Sequence, residues 1–165
     1  MEETKNLEEL EIERFSRFDR VVHWVVAITF IYLFLSGLGI YSPKFAWLLP
    51  VLGGPDFARW LHPWAGLVFS VGVLLMFLKW SKDFLLTSDD TAWLKNVKHY
   101  IKGEEEKLPE VGKYNAGQKV FGWLVFVGCL VFLITGILMW FPGNFPITLT
   151  RVSIVLHDLA FITVG

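Results

Sequence analysis

Apolar residues fall in long uninterrupted blocks along this chain, and the charged residues fall between them. Residues 21–41, 61–78 and 120–141 are three such blocks, and a fourth runs from about Arg151 to the last residue, Gly165. A helix rises about 1.5 Å per residue, so crossing a hydrocarbon layer of about 30 Å takes roughly 20 apolar residues. The first block meets this length with one interior ionisable group, His23, the second carries only His62, and the third carries no charge. The pattern predicts an all-α membrane protein built as a four-transmembrane-helix bundle. The fourth block, at about 15 residues, is expected to be a helix truncated by the end of the sequence. Residues 1–20 are expected to form an N-terminal segment outside the bilayer. Residues 21–165 are expected to form one membrane domain, with spans at about 21–41, 56–80, 117–141 and from 151 to 165 onward.

Between the second and third blocks, Trp93, Val97, Tyr100 and Ile101 have helical spacing. This predicts a helix over residues 89–101, with Asp90 or Thr91 as its N-cap and Gly103 beyond its end. Pro43, Pro50 and the Gly53-Gly54-Pro55 turn interrupt the segment between the first two blocks.

Composition agrees with the pattern. The 165 residues are 54% hydrophobic and 19% charged, against about 25% charged in an ordinary soluble domain. The polar first 20 residues and the length of the run that follows do not fit a cleavable signal peptide. The single cysteine, Cys129, lies within the third block and is silent about redox compartment. The net charge of −1 and the lack of a basic tract give no sign of a nucleic-acid partner.

The positions of the charges orient the chain. Twelve of the 15 Lys and Arg residues lie before the first block or between the second and third; only Lys44, Arg59 and Arg151 lie elsewhere. Lys and Arg are retained on the cytoplasmic side during insertion. The N-terminus and residues 79–119 are therefore expected to be cytoplasmic, and residues 42–60 and 142–150 to face outward.

The candidate chemistry is carried by histidines. Three of four sit within apolar blocks, where an ionisable side chain is costly unless paired or ligated. A hydrogen bond to a neighbouring helix would satisfy one such residue. Three on different helices, with only Asp158 as an acid in the same blocks, favour ligation. His62 and His157 fall toward the outer end and His23 toward the cytoplasmic end. Zinc would require four donors at one depth, and these do not converge. Two neutral imidazoles across a helical bundle suit the axial positions of a haem iron. Ser36, Gly37, Gly39, Ala65, Gly66, Ser70, Gly72, Gly122, Gly128 and Gly136 would make room between helices, or would serve close helix packing alone.

Several motifs carry a family resemblance. They are Phe18-Asp19-Arg20 with His23-Trp24, Leu38-Gly39, Leu61-His62-Pro63, Trp93-Leu94, Lys102-Gly103, Thr135-Gly136 and Leu156-His157. The most specific is the run from Val111 through Gly112-Lys113-Tyr114-Asn115-Ala116-Gly117-Gln118 to Lys119. Together they resemble the gamma, or cytochrome b, subunit of respiratory membrane-bound formate dehydrogenase, over nearly all of the chain after about residue 12.

The resemblance implies a subunit of the bacterial inner membrane that binds two haem b groups and quinone, menaquinone or ubiquinone. Its partners would be an iron–sulfur beta subunit and a molybdenum- or tungsten-containing catalytic alpha subunit. It implies His62 and His157 as ligands of an outer haem, and His23 as one ligand of an inner haem. The fourth ligand would lie near position 171, beyond the last residue, and fourteen residues of helix rise about 21 Å, a sensible separation for two haems. It also implies a quinone pocket at Asn115, Gly117 and Gln118, whose amide and backbone N–H groups can donate to quinone carbonyls. Asn115 is equally suited to cap the third helix. Arg17 and Arg20, just before His23, would pair with haem propionates or serve the charge bias alone.

Other readings remain on the sequence: the related cytochrome b of a membrane-bound nickel–iron hydrogenase, and a haem-free membrane anchor. A transporter fits poorly, since no block is broken midway around a polar site.

Overall fold

The computed structural model describes residues 15–109 and 111–164, and every described regular element is helical. Lys5 and Arg14, counted in the charge bias, lie outside the described residues. Four long helices form the body: α1 (Arg17–Tyr41), α3 (Pro55–Trp80), α6 (Ala116–Trp140) and α7 (Ile147–Val164). The short α2 (Leu48–Val51) connects the first pair, and α4 (Ser88–Lys95) and α5 (Val97–Ile101) lie between α3 and α6. Among the described residues, α1, α3 and α6 each have the length and apolarity to cross a membrane, with mean hydropathies of 2.1, 1.9 and 2.5.

Local chemistry fixes the helix ends. Ser16 caps α1 in a reciprocal box, its Oγ accepting from the Asp19 N–H while the Asp19 carboxylate accepts from the Ser16 N–H. That box lets the helix begin at Arg17, one turn before the apolar block. Gly53 and Gly54, with φ of 93° and 101°, turn the chain into α3, whose first residue is Pro55.

Two elements differ from the sequence reading. The helix expected over 89–101 is two helices broken at Asn96, whose side-chain amide bonds back to the Ala92 carbonyl. Its N-cap is Thr87, with Asp90 in the third helical position closing the box. The fourth helix begins at Ile147 rather than near Arg151, because the Pro146 carbonyl accepts from the N–H groups of Leu149 and Thr150. His157 is thereby nearly three turns into α7.

The long helices pack in a ring, α1 on α3, α3 on α6, α6 on α7, with α7 touching α1. Neighbours run antiparallel. Gly72 of α3 meets Val26 of α1, while Lys79 of α3 pairs with Asp19 at the start of α1. Phe77 stacks on Phe126 at 3.8 Å, and Trp64 meets Trp140 at the opposite end.

Burial is the reverse of a water-soluble protein. Ser36 and Ser153 are the largest fully buried side chains, whereas Ile28, Leu78 and Leu124 are more than 60% exposed. In lipid, burial of large apolar groups does not drive helix association, so small residues that let backbones approach form the contacts.

Candidate functional site

Two of the sequence-marked histidines lie at the same end of the bundle. His62 of α3 places Nδ1 2.8 Å from Ser36 Oγ of α1, and His157 of α7 places Nδ1 2.8 Å from Thr135 Oγ1 of α6. Both residues are half-buried. Gly37 lies between His62 and Phe161 of α7, which ties α1, α3 and α7 at a common depth. Phe132 packs edge-on against His157, with ring centroids 5.0 Å apart.

His23 stands at the opposite end of the bundle. Residues 23 and 36 of α1 are 13 apart, about 20 Å of helix. It opens into a cavity of about 1070 Å³ that is also lined by Asp19, Arg20, Asn115, Gly117 and Gln118. Trp24, Phe77, Trp80, Trp93 and Tyr114 supply much of the remaining wall, so it is mainly apolar with a polar rim. Arg17 is exposed and does not line this cavity.

Asn115 and Gln118 form a reciprocal cap on α6. Asn115 Oδ1 accepts from the Gln118 N–H at 2.9 Å, and Gln118 Oε1 accepts from the Asn115 N–H at 3.0 Å. Both amide oxygens are thus engaged, and both NH₂ groups remain as donors. The N–H of Gly117 belongs to the first turn of α6 and has no partner within the helix. The cap and a donor-lined wall are compatible uses of the same residues.

Some contributors were not singled out from sequence. Ser36 and Thr135 were noticed only as a small residue and as part of a motif, yet each holds an imidazole. The signal was present, a hydroxyl residue followed by glycine on both α1 and α6. The Asp19–Lys79 pair closes the N-terminal end of α1 on α3, and Trp93 of α4 roofs the cavity against Gly117. His99, which lies outside the apolar blocks, places Nδ1 2.7 Å from Glu104 Oε2.

The donor set bears on what can be held. Among the described residues no group of three or more His, Cys, Asp or Glu side chains could enclose a bare metal ion. His62 and His157 each use Nδ1 for a hydroxyl and leave Nε2 without a protein partner among the described residues. Two imidazole nitrogens with no further protein donor fit a group that brings its own equatorial ligands, as haem does.

A membrane helical bundle with braced histidines at one end and a histidine-lined cavity at the other has the architecture of a b-type cytochrome. Residues 14–165 match the profile of the prokaryotic cytochrome b561 family, and the chain belongs to that family, whose cofactor is haem b.

Curated relatives agree. The cytochrome b556(Fdn) subunit of nitrate-inducible formate dehydrogenase from Escherichia coli K12 is 37% identical over 145 residues, 86% of this chain and 67% of that protein. The cytochrome b556(fdo) subunit of formate dehydrogenase from the same organism is 34% identical over 152 residues, 90% of this chain and 71% of the relative. The cytochrome b556 subunit of formate dehydrogenase from Haemophilus influenzae is 37% identical over 143 residues, 84% of this chain and 60% of the relative. The chain is a cytochrome b membrane anchor.

Proposed function

We propose that the chain is the di-haem cytochrome b subunit of a formate dehydrogenase in the bacterial inner membrane. It anchors an iron–sulfur subunit and a molybdenum- or tungsten-containing subunit, and it delivers their electrons to quinone. Relatives at 34–37% identity are formate dehydrogenase subunits, which favours formate over hydrogen as the ultimate donor. The observation that carries the reading is that His62 of α3 and His157 of α7 lie at the same end of the bundle, each with Nδ1 braced and Nε2 unengaged among the described residues.

In this reading His62 and His157 ligate the outer haem, and His23 supplies one ligand of the inner haem. Haem b, when bound, supplies reversible one-electron chemistry at its iron. Arg20 on the cavity wall offers its guanidinium to a propionate, and Arg17, exposed and off the wall, is left to the charge bias. The amides of Asn115 and Gln118 and the Gly117 N–H donate to the carbonyl oxygens of a quinone held between aromatic walls. The charge bias supports a cytoplasmic N-terminus and a cytoplasmic α4–α5 segment. The two protons needed to form quinol would then enter from the cytoplasm.

The test uses membranes carrying the whole complex. His62→Ala and His157→Ala should each leave formate oxidation by a soluble dye intact while abolishing formate-dependent quinone reduction. Quinone reduction at the wild-type rate in both variants would overturn the reading.

A further inference from the structure

Ser36 and Thr135 present one arrangement twice. Each hydroxyl lies 2.8 Å from Nδ1 of a histidine on the next helix. Each is also aimed at the carbonyl four residues back in its own helix, Ser36 at Tyr32 (2.7 Å) and Thr135 at Val131 (2.6 Å). The carbonyl three residues back lies at 3.3 Å in both cases. A hydroxyl has one proton and two acceptor lone pairs. With the proton turned to the helix carbonyl, only a lone pair remains for the imidazole. In that arrangement Nδ1 would carry the proton in both rings and Nε2 the free pair.

The residue after each hydroxyl completes the device. A Cβ built on Gly37 would lie 3.6 Å from Cε1 of His62, and one on Gly136 would lie 3.8 Å from Cε1 of His157. The glycine backbone thus lies beside the ring edge between its two nitrogens, while the hydroxyl fixes one of them. Both hydroxyl residues are buried, Ser36 fully and Thr135 to 4% exposure, so water does not compete for the bonds. One such contact would be an ordinary satisfied histidine. The same dipeptide chemistry on two helices, serving two histidines at the same end of the bundle, indicates a shared purpose.

We propose that Ser36-Gly37 and Thr135-Gly136 form a duplicated cradle that sets the tautomer and ring orientation of two axial ligands and thereby tunes the midpoint potential of the iron they share. The proposal rests on ligation by His62 and His157 as read above. An imidazole donating through Nδ1–H is a more basic ligand at Nε2, and a more basic ligand favours the ferric state. Ser36 and Thr135 act through the histidines, as positioning residues.

The experiment compares Ser36→Ala, Thr135→Val and the hydroxyl-retaining Thr135→Ser in the whole membrane complex. Potentiometric titration of the b-type alpha band reads the potential, and electron paramagnetic resonance of the ferric low-spin signal reads ring orientation. Ser36→Ala and Thr135→Val should each weaken the ferric preference roughly tenfold, a positive shift of about 59 mV for one electron, and should alter the ferric spectrum. Thr135→Ser should keep both at wild-type values. Wild-type potential and spectrum in Ser36→Ala and Thr135→Val would overturn the cradle, as would a Thr135→Ser variant that shifts as far as Thr135→Val. If Thr135→Val loses haem altogether, retention in Thr135→Ser supports the cradle and loss in both overturns it. An alpha band that survives His62→Ala and His157→Ala undiminished would instead sink the ligation, and the cradle with it.

Discussion

Lys119 Nζ lies 2.7 Å from Asp90 Oδ2, with only 12% and 8% of the two side chains exposed, and this pair ties α6 to α4 beside the large cavity. Lys119 also donates to the Leu85 carbonyl, and Trp123 Nε1 donates to the Phe84 carbonyl. Asp90 additionally closes the cap of α4. A hydrogen bond to a charged group is worth about 1.5–3 kcal/mol. Asp90→Asn should loosen α4 by an amount in that range, seen as faster amide exchange over Ser88–Lys95 with the long helices unchanged.

The same carboxylate gives a pH dependence. Burial alone would raise the Asp90 pKa, but hydrogen bonds from Lys119 and from the Thr87 N–H and hydroxyl outweigh it and hold the group below its usual value. A carboxyl whose folded pKa is lowered stabilises the fold above its unfolded value, about 3.9, and loses that contribution as pH falls through the folded value. Exchange protection of α4 should therefore be flat between pH 5 and 7 in wild type, as judged from that unfolded value of about 3.9, and should fall in stronger acid. Asp90→Asn should remove the acid-dependent part.

Two helix glycines, one at a helix contact and one facing open space, should behave oppositely. A Cβ on Gly72 would lie 2.5 Å from Cγ2 of Val26, a β-branched side chain with little rotamer freedom in a helix, whereas one on Gly128 meets nothing within 4 Å. Gly72→Ala should destabilise the α1–α3 contact by about 1–3 kcal/mol. Gly128→Ala should be neutral or stabilising, and thermal unfolding in detergent distinguishes the two.

The α6 cap allows folding and the proposed quinone binding to be separated. Asn115→Asp keeps the oxygen that accepts from the Gln118 N–H but removes the NH₂ donor. It should retain stability while raising the KM for quinone at least about tenfold, as expected for loss of about 1.4 kcal/mol of binding. Asn115→Ala should do the same and also lose about 0.5–2 kcal/mol of stability from the missing cap. Steady-state quinone reduction with parallel melting curves reads both.

How far the sequence carried the account depends on how local each feature is. Apolar blocks of membrane length and rare intramembrane imidazoles are local, so the long helices and the separation of His23 from His62 and His157 could be read directly. The partners of those histidines could not. Whether Ser36 faces His62 depends on the rotation of α1 against α3, which no single block encodes. The break at Asn96 was masked by spacing that suits one helix or two. Helix onsets were missed where polar first turns are capped, at Ser16 before α1 and after Pro146 before α7. The Lys119–Asp90 pair joins residues 29 apart, so charge pattern alone did not reveal it.

The most direct test of the central claim is the haem b content of the purified complex in His62→Ala, His157→Ala and the double variant, measured from reduced-minus-oxidised spectra. If the two histidines share one iron, each single variant loses the same haem, and the double variant loses no more than either single. Independent losses that add in the double variant, or a full complement in either single, would contradict it.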